Sequence, residues 1–179
     1  MTLSSFSVKS VTWREWLGLA AGLLALGSTF LPWTTLSTNK PDIEVVLSSL
    51  PQSDVVRDAW NSSFFAWCPP LALVLAGVVV AVFGRIRKAR VSGLPHLWLV
   101  VAAAALLLMV IGWFTLDWEF DADQRGIFDA AGIAISAGFG RFLGVLAAVV
   151  SGVAAFFDMR SARAESRQPR KRQPRSKSR

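Results

Sequence analysis

The chain has 179 residues, enough for one domain of modest size, and its net charge is +7. Its hydrophobic fraction of 53% and mean hydropathy of +0.46 are high for a soluble globular protein of this length. The single cysteine, Cys68, excludes an intramolecular disulfide.

Four hydrophobic stretches are candidates for crossing a membrane. The first three lie within long runs that carry no Asp, Glu, Lys or Arg, and each run supplies the roughly 20 residues that a helix needs to cross the hydrocarbon core. The fourth must be extended outward to Gly138 to reach about 30 Å at 1.5 Å per residue. The first exceeds a usual signal-peptide core and lacks a cleavage site, so we interpret it as a retained helix. The predicted spans are residues 13–33, 65–83, 95–116 and 138–157.

Positive charges lie on one side of these spans. Two Lys or Arg residues precede the first span, four lie between the second and third, and nine follow the fourth, whereas the other side holds four. Fifteen against four is a strong positive-inside pattern. It predicts a multi-pass protein of the plasma (cytoplasmic) membrane with cytoplasmic termini, residues 1–12 and 161–179, and outer loops at residues 34–64 and 117–137.

The outer loops predict a small extracytoplasmic cap. In the first loop, Ile43, Val46, Leu47 and Leu50 recur at helical spacing and indicate a short amphipathic helix. In the second loop, four acids alternate with Trp118, Phe120 and Ala122, which favours an extended segment. A short β-hairpin with residues 133–136 fits this pattern. The predicted fold class is therefore an all-α membrane protein, a four-transmembrane-helix bundle with a cap of short helices and this hairpin.

Small residues recur every four positions toward the last span. On one continuous helix this spacing stacks them along a single face, where a neighbouring helix can approach closely. The predicted helix-packing face is Gly132, Ser136, Gly140, Gly144, Ala148 and Gly152.

Arg141 is the one basic residue at the outer end of a span. Three interpretations stay open: its side chain reaches the outer headgroups, it forms an interfacial ion pair with Asp117 or Asp129, or it binds an anionic substrate.

For the acids at 117–123, a solvated face is favoured over a Ca²⁺ site, because the glycine and trailing glutamate of an EF-hand loop are absent.

The spans argue against an enzyme. A catalytic membrane protein should show polar residues converging from several spans, and here the spans contain essentially none. Glu15, Cys68 and His96 are interpreted as structural, and all eight Trp residues lie near predicted span boundaries, as in an aromatic belt. We expect no catalytic residues, no cofactor and no metal.

The C-terminal tail, residues 161–179, is predicted to be a disordered basic segment that attracts anionic headgroups of the inner leaflet. A protein partner is the alternative for these charges, and the lack of aromatic residues argues against nucleic acid. The residues expected to contact lipid are Arg167, Arg170, Lys171, Arg172, Arg175, Lys177 and Arg179.

Three short motifs carry a resemblance: Phe30-Leu31-Pro32-Trp33 at the end of span one, Asp58-Ala59-Trp60 in the first outer loop, and residues 136–143 at the entry to span four. With these, the chain resembles small four-span membrane proteins of actinobacteria, of the mycobacterial type. The resemblance covers the membrane core and not the tail. It implies the topology and an envelope location, and no activity.

Two functions follow as hypotheses. The first is a non-catalytic accessory or scaffold subunit of the cell envelope, which contacts a membrane protein partner or further copies of itself. The second is a small transporter or lipid-handling protein, again as an oligomer. A buried polar residue at mid-membrane would favour the second hypothesis, and the sequence places none there.

Overall fold

The computed structural model describes residues 12–84, 86 and 92–167. The described part is mostly helical and carries one small sheet. Its elements in chain order are α1 (Trp13–Ser28), β1 (Thr34–Thr38), α2 (Pro41–Ser49), α3 (Gln52–Val55), β2 (Val56–Arg57), α4 (Phe64–Phe83), α5 (Leu94–Phe114), a 3₁₀ helix (Leu116–Glu119), α6 (Ala122–Ala131), β3 (Ile133–Ala137) and α7 (Phe139–Arg167).

Four long helices form an antiparallel bundle in the ring order α1, α4, α5, α7. Each packs against its two neighbours in the ring. Among the described residues, three helical segments are long and apolar enough to cross a membrane: Phe64–Phe83, Leu94–Phe114 and Phe139–Ala164. They overlap the predicted second, third and fourth spans, which confirms a mostly helical protein and, by helix length and composition, is consistent with a membrane protein.

α1 is shorter than the predicted first span. It has 16 residues, about 24 Å at 1.5 Å per residue, and ends at Ser28 rather than at Trp33. Two hydroxyls next to its end bond back to the preceding turn: Ser28 donates to the Ala25 carbonyl at 2.7 Å and Thr29 to the Leu26 carbonyl at 2.7 Å. Such hydroxyl bonds to the preceding turn are typical of Ser and Thr at a helix end.

The predicted boundary of the tail is also corrected. α7 continues past the predicted span end at residue 157 and reaches Arg167, so residues 161–167 are helical rather than part of a disordered tail. The predicted N-terminal segment up to residue 11 and the rest of the tail, residues 168–179, lie outside the described residues.

The two outer loops form one cap around a three-stranded antiparallel sheet with the order β2-β1-β3. Thr34 pairs with Ala137 and Thr38 with Ile133. The predicted hairpin within the second loop is therefore wrong. Its residues 116–119 and 122–131 are helical, and β3 pairs with the first loop, because the Thr- and Ser-rich segment at 34–38 supplies the strand partner.

The bundle core is built mostly from alanine around a few large side chains. Buried Ala25, Ala102 and Ala147 lie in one cluster with Trp33 and Met109. Small side chains let helix backbones come close, as is usual in membrane bundles. The aromatic-belt prediction is wrong for two tryptophans. Trp33 is buried in this cluster and Trp98 in a second one, and Trp98 donates from Nε1 to the Ser151 hydroxyl at 3.1 Å.

The predicted packing face is interrupted. Gly132 ends α6 with a left-handed φ of 73°, and Ser136 lies in β3, so neither belongs to α7. A Cβ on Gly140 would lie 2.6 Å from Trp33 Cδ1, and one on Gly144 would lie 3.1 Å from the same ring. Ala148 is also buried. On α7, these residues pack inside the bundle rather than along a free face, and Gly152 is the one with room beside it.

Candidate functional site

The most concentrated polar cluster of the described chain lies where the cap meets the bundle, and its centre is an ion pair. Arg141 Nη2 lies 3.1 Å from Glu119 Oε1, and each side chain is 2% exposed. Arg141 comes from the first turn of α7 and Glu119 from the last residue of the 3₁₀ helix. The expected pairing with Asp117 or Asp129 is therefore wrong, and so is the interpretation of a side chain that reaches the headgroups.

The remaining donors of Arg141 are bound by the surrounding backbone. Nη1 donates to the Gly112 carbonyl at 2.6 Å and Nε to the Trp33 carbonyl at 3.3 Å. Nη2 also donates to the Thr34 hydroxyl at 3.3 Å. A buried guanidinium needs this full set, because each unsatisfied donor would cost free energy of folding.

Glu119 is bound at both carboxylate oxygens. Its Oε2 accepts from the Thr34 hydroxyl at 2.8 Å, and its Oε1 accepts from the Ser63 hydroxyl at 3.2 Å as well as from Arg141. The Glu119 carbonyl accepts from Arg57 Nη1 at 3.3 Å, and that guanidinium lies 4.4 Å from the centre of the Phe120 ring. The cluster thus joins α7, the end of α5, β1 and both outer loops.

The position of Arg141 depends on close contact between two backbone segments, residues 32–33 and residues 138–140. The Gly138 amide donates to the Trp33 carbonyl at 2.9 Å, and the Gly140 amide donates to the Pro32 carbonyl at 2.8 Å. A Cβ on Gly138 would collide with the Pro32 carbonyl. The Trp33 ring, which donates from Nε1 to the Ser28 carbonyl at 2.6 Å, fills the space beside Arg141. The glycines of the 136–143 motif and the Leu-Pro-Trp motif therefore meet in space.

The two acids predicted to pair with Arg141 lie elsewhere. Asp117 and Asp129 line one surface cleft of about 500 Å³ together with Arg125 and Ile133. Across the residues that the structure describes, no group of three or more His, Cys, Asp or Glu side chains could hold a metal ion.

A smaller polar cluster joins α1 to α7 at the opposite end of the bundle, which we call the tail end. Arg14 Nε lies 3.7 Å from Asp158 Oδ1, and Arg14 Nη1 also donates to the Ser161 hydroxyl. Glu15 is buried beside Gly84, and its Oε2 accepts from the Thr12 amide at 2.8 Å. This capping interaction agrees with the structural interpretation of Glu15.

The acidic partners of both ion pairs, Glu119 and Asp158, are not among the predicted site residues. The acidic pattern at 117–123 predicts a solvated Glu119, and no motif of the sequence includes Asp158. The period-two alternation puts Glu119 on the same face as Asp117 and Asp121, whereas in the 3₁₀ turn its side chain lies inside, 2% exposed. For Asp158 a signal was present: an acid inside an apolar helix end, in a chain with Arg14 at the corresponding end of the first helix.

The ion pair of Arg141 and Glu119, with its hydrogen bonds, links the cap to the helical bundle. Both partners of the ion pair are closed to solvent, and their polar atoms are bound by protein groups. No protein-family model, curated protein or solved structure matches this chain.

Proposed function

We propose that this chain is a four-span, non-catalytic protein of the cytoplasmic membrane that presents its extracytoplasmic cap in a fixed orientation to a partner protein of the cell envelope. The observation that carries the proposal is the buried ion pair of Arg141 and Glu119. It ties both outer loops to the bundle through side chains that are themselves closed to solvent.

The distribution of charge supports the proposed topology. Arg14, Arg160 and Arg163 lie at the tail end of the bundle, and the sequence adds the basic residues at 85–90 and in the tail. The positive-inside rule assigns such an end to the cytoplasm. α1 packs along α4 and α7, so the proposal gives it the same depth in the bilayer, with residues 29–33 completing the crossing.

The surface of α2 supports a partner that binds at the cap. Leu47 is buried and anchors this helix, whereas Val45, Val46 and Leu50 are exposed at 69%, 54% and 44%. An apolar group on a rigid cap is suited to a protein contact, because burying it removes apolar surface from water without reordering the chain.

The test is affinity purification of the tagged full chain from its native membranes after mild crosslinking. We expect one stoichiometric protein partner. Val46→Asp should reduce its recovery about tenfold, because a carboxylate would be buried in an apolar contact.

Ser48→Asp is the matched control, since it adds the same charge at an exposed position of the same helix. It should leave recovery of the partner unchanged. Equal recovery from the two variants, or the absence of a stoichiometric protein, would contradict the proposal.

A further inference from the structure

A surface groove of about 430 Å³ runs between α5 and α7. Ala102 and Ala148 are buried at its base, and exposed Val149 and Phe156 stand at its side. A Cβ on Gly152 would lie 3.9 Å from the Ala102 Cβ, so the space beside this glycine is not filled by the chain itself. Grooves of this size fall within the roughly 300–1,000 Å³ range of small-molecule sites.

The length of the groove matches one leaflet of a bilayer. On α7 its residues run from Ala148 to Phe157, and on α5 they run from Leu99 to Leu106. At 1.5 Å per residue these stretches measure about 14 Å and about 10 Å. Half of a hydrocarbon core of roughly 30 Å is about 15 Å.

The tail end of the groove is basic. Arg160 follows Phe156 by one turn, is exposed, and holds its guanidinium 5.8 Å from the centre of the Phe156 ring. One further turn on, Arg163 Nη2 lies 3.3 Å from Nε2 of His96, which comes from the first turn of α5. At the tail end of the groove, α7 therefore carries Arg160 and Arg163, and α5 carries His96.

We propose that this groove binds one anionic phospholipid of the leaflet on the tail side. An acyl chain lies along Ala102, Ala148 and Gly152, and the phosphate contacts Arg160 at the mouth, with Arg163 and His96 beside it. The leaflet is the cytoplasmic one in the topology proposed above. The site is distinct from the diffuse attraction of lipid to the tail, because it has an apolar cavity of defined shape.

Charge favours a lipid over a partner helix as the occupant. An apolar helix that fills the groove would cover Phe156 and take the Arg160 guanidinium out of water without supplying an anion. A phospholipid supplies both the apolar chain and the phosphate. Basic pockets between membrane helices at the cytoplasmic side recognise anionic headgroups by this combination.

Native mass spectrometry of the full chain in a neutral detergent tests the proposal. The probes are phosphatidylglycerol and phosphatidylcholine with the same palmitoyl and oleoyl chains. We expect one tightly bound phosphatidylglycerol and weaker binding of phosphatidylcholine. Arg160→Gln should weaken phosphatidylglycerol binding about fivefold and leave phosphatidylcholine binding unchanged. Gly152→Leu, which fills the groove, should weaken both.

Two variants serve as controls. Lys40→Gln removes one positive charge at an exposed position of the cap, and Val82→Leu adds one methylene at an exposed position of α4. Both should bind lipid like the unmodified chain. Equal effects of Arg160→Gln and Lys40→Gln would overturn the proposal, as would equal affinity for the two lipids. A dimer that Gly152→Leu dissociates would assign the groove to a second copy instead. Because Arg160 is exposed, its variant remains informative even if Gly152→Leu fails to fold.

Discussion

Arg141 carries a buried charge, and a buried charge is tolerated only when it is paired and hydrogen-bonded. Taking an ion pair out of water costs free energy, which is recovered only when geometry and additional hydrogen bonds are good. Here the Thr34 and Ser63 hydroxyls donate hydrogen bonds to the Glu119 carboxylate, and backbone carbonyls accept hydrogen bonds from the Arg141 guanidinium. The pair therefore makes the docking of the cap dependent on one specific arrangement.

A double-mutant cycle at this pair tests the dependence. Glu119→Met and Arg141→Met each leave one buried charge without its partner, and each should lower the free energy of unfolding by about 3–5 kcal/mol. The double variant should be much less destabilised than the sum, because neither charge then remains. Unfolding of the purified chain in mixed micelles, followed by tryptophan fluorescence, measures all four free energies. Additive losses would show that the two residues act independently.

At the scale of elements, hydropathy was sufficient for α4 and α5, misplaced one end each of α1 and α7, and was insufficient for the cap. The predicted spans at 65–83 and 95–116 differ from α4 and α5 by no more than two residues at either end. In a lipid environment an apolar run of this length has few alternatives to a helix, since each backbone polar group needs a hydrogen-bond partner within the segment.

The cap escaped prediction because its strand pairing is not local. Thr35 and Ser136 are 101 positions apart in the chain, and nothing in either short segment specifies the other. Trp33, Gly138 and Gly140 were noticed as motifs, but their mutual contact depends on the packing of α1 against α7. Likewise, the burial of Glu119 follows from a single 3₁₀ turn that periodicity did not reveal.

Engineered cysteines test the β1–β3 register. Ser37 and Ala134 are directly opposite and both exposed, so Ser37→Cys with Ala134→Cys in a Cys68→Ser background should form a disulfide. Opposite residues of antiparallel strands have Cα atoms about 4.5–5.5 Å apart, within the range that a disulfide spans. We expect the two thiols to be protected from a maleimide reagent, and we expect a reductant to restore their labelling.

The control pair shifts one cysteine by two residues. Ser37→Cys with Ser136→Cys places the thiols diagonally, about 7–8 Å apart, and should oxidise poorly. Preferential oxidation of this second pair would place β3 in a different register.

At the scale of the whole molecule, the short α1 decides between three and four crossings. Four crossings place residues 1–11 on the same side as the tail, whereas a surface-bound α1 would leave them on the side of the cap. Single cysteines at positions 5, 42, 123 and 176 in the Cys68→Ser background distinguish the two. With a membrane-impermeant maleimide on intact cells, we expect labelling at 42 and 123 only. Labelling of position 5 without permeabilisation would exclude a crossing by α1.

The pairing of β1 with β3 also bears on biogenesis. Residues 34–38 are synthesised early and remain a strand without its main partner until residues 133–137 have left the ribosome. Arg141 follows directly, so the partner of Glu119 arrives in the same late step. A chain that stops after α5 would carry an open strand edge. Closure of the sheet therefore waits for β3, and the synthesis of α7 that follows completes the bundle and brings Arg141 to Glu119.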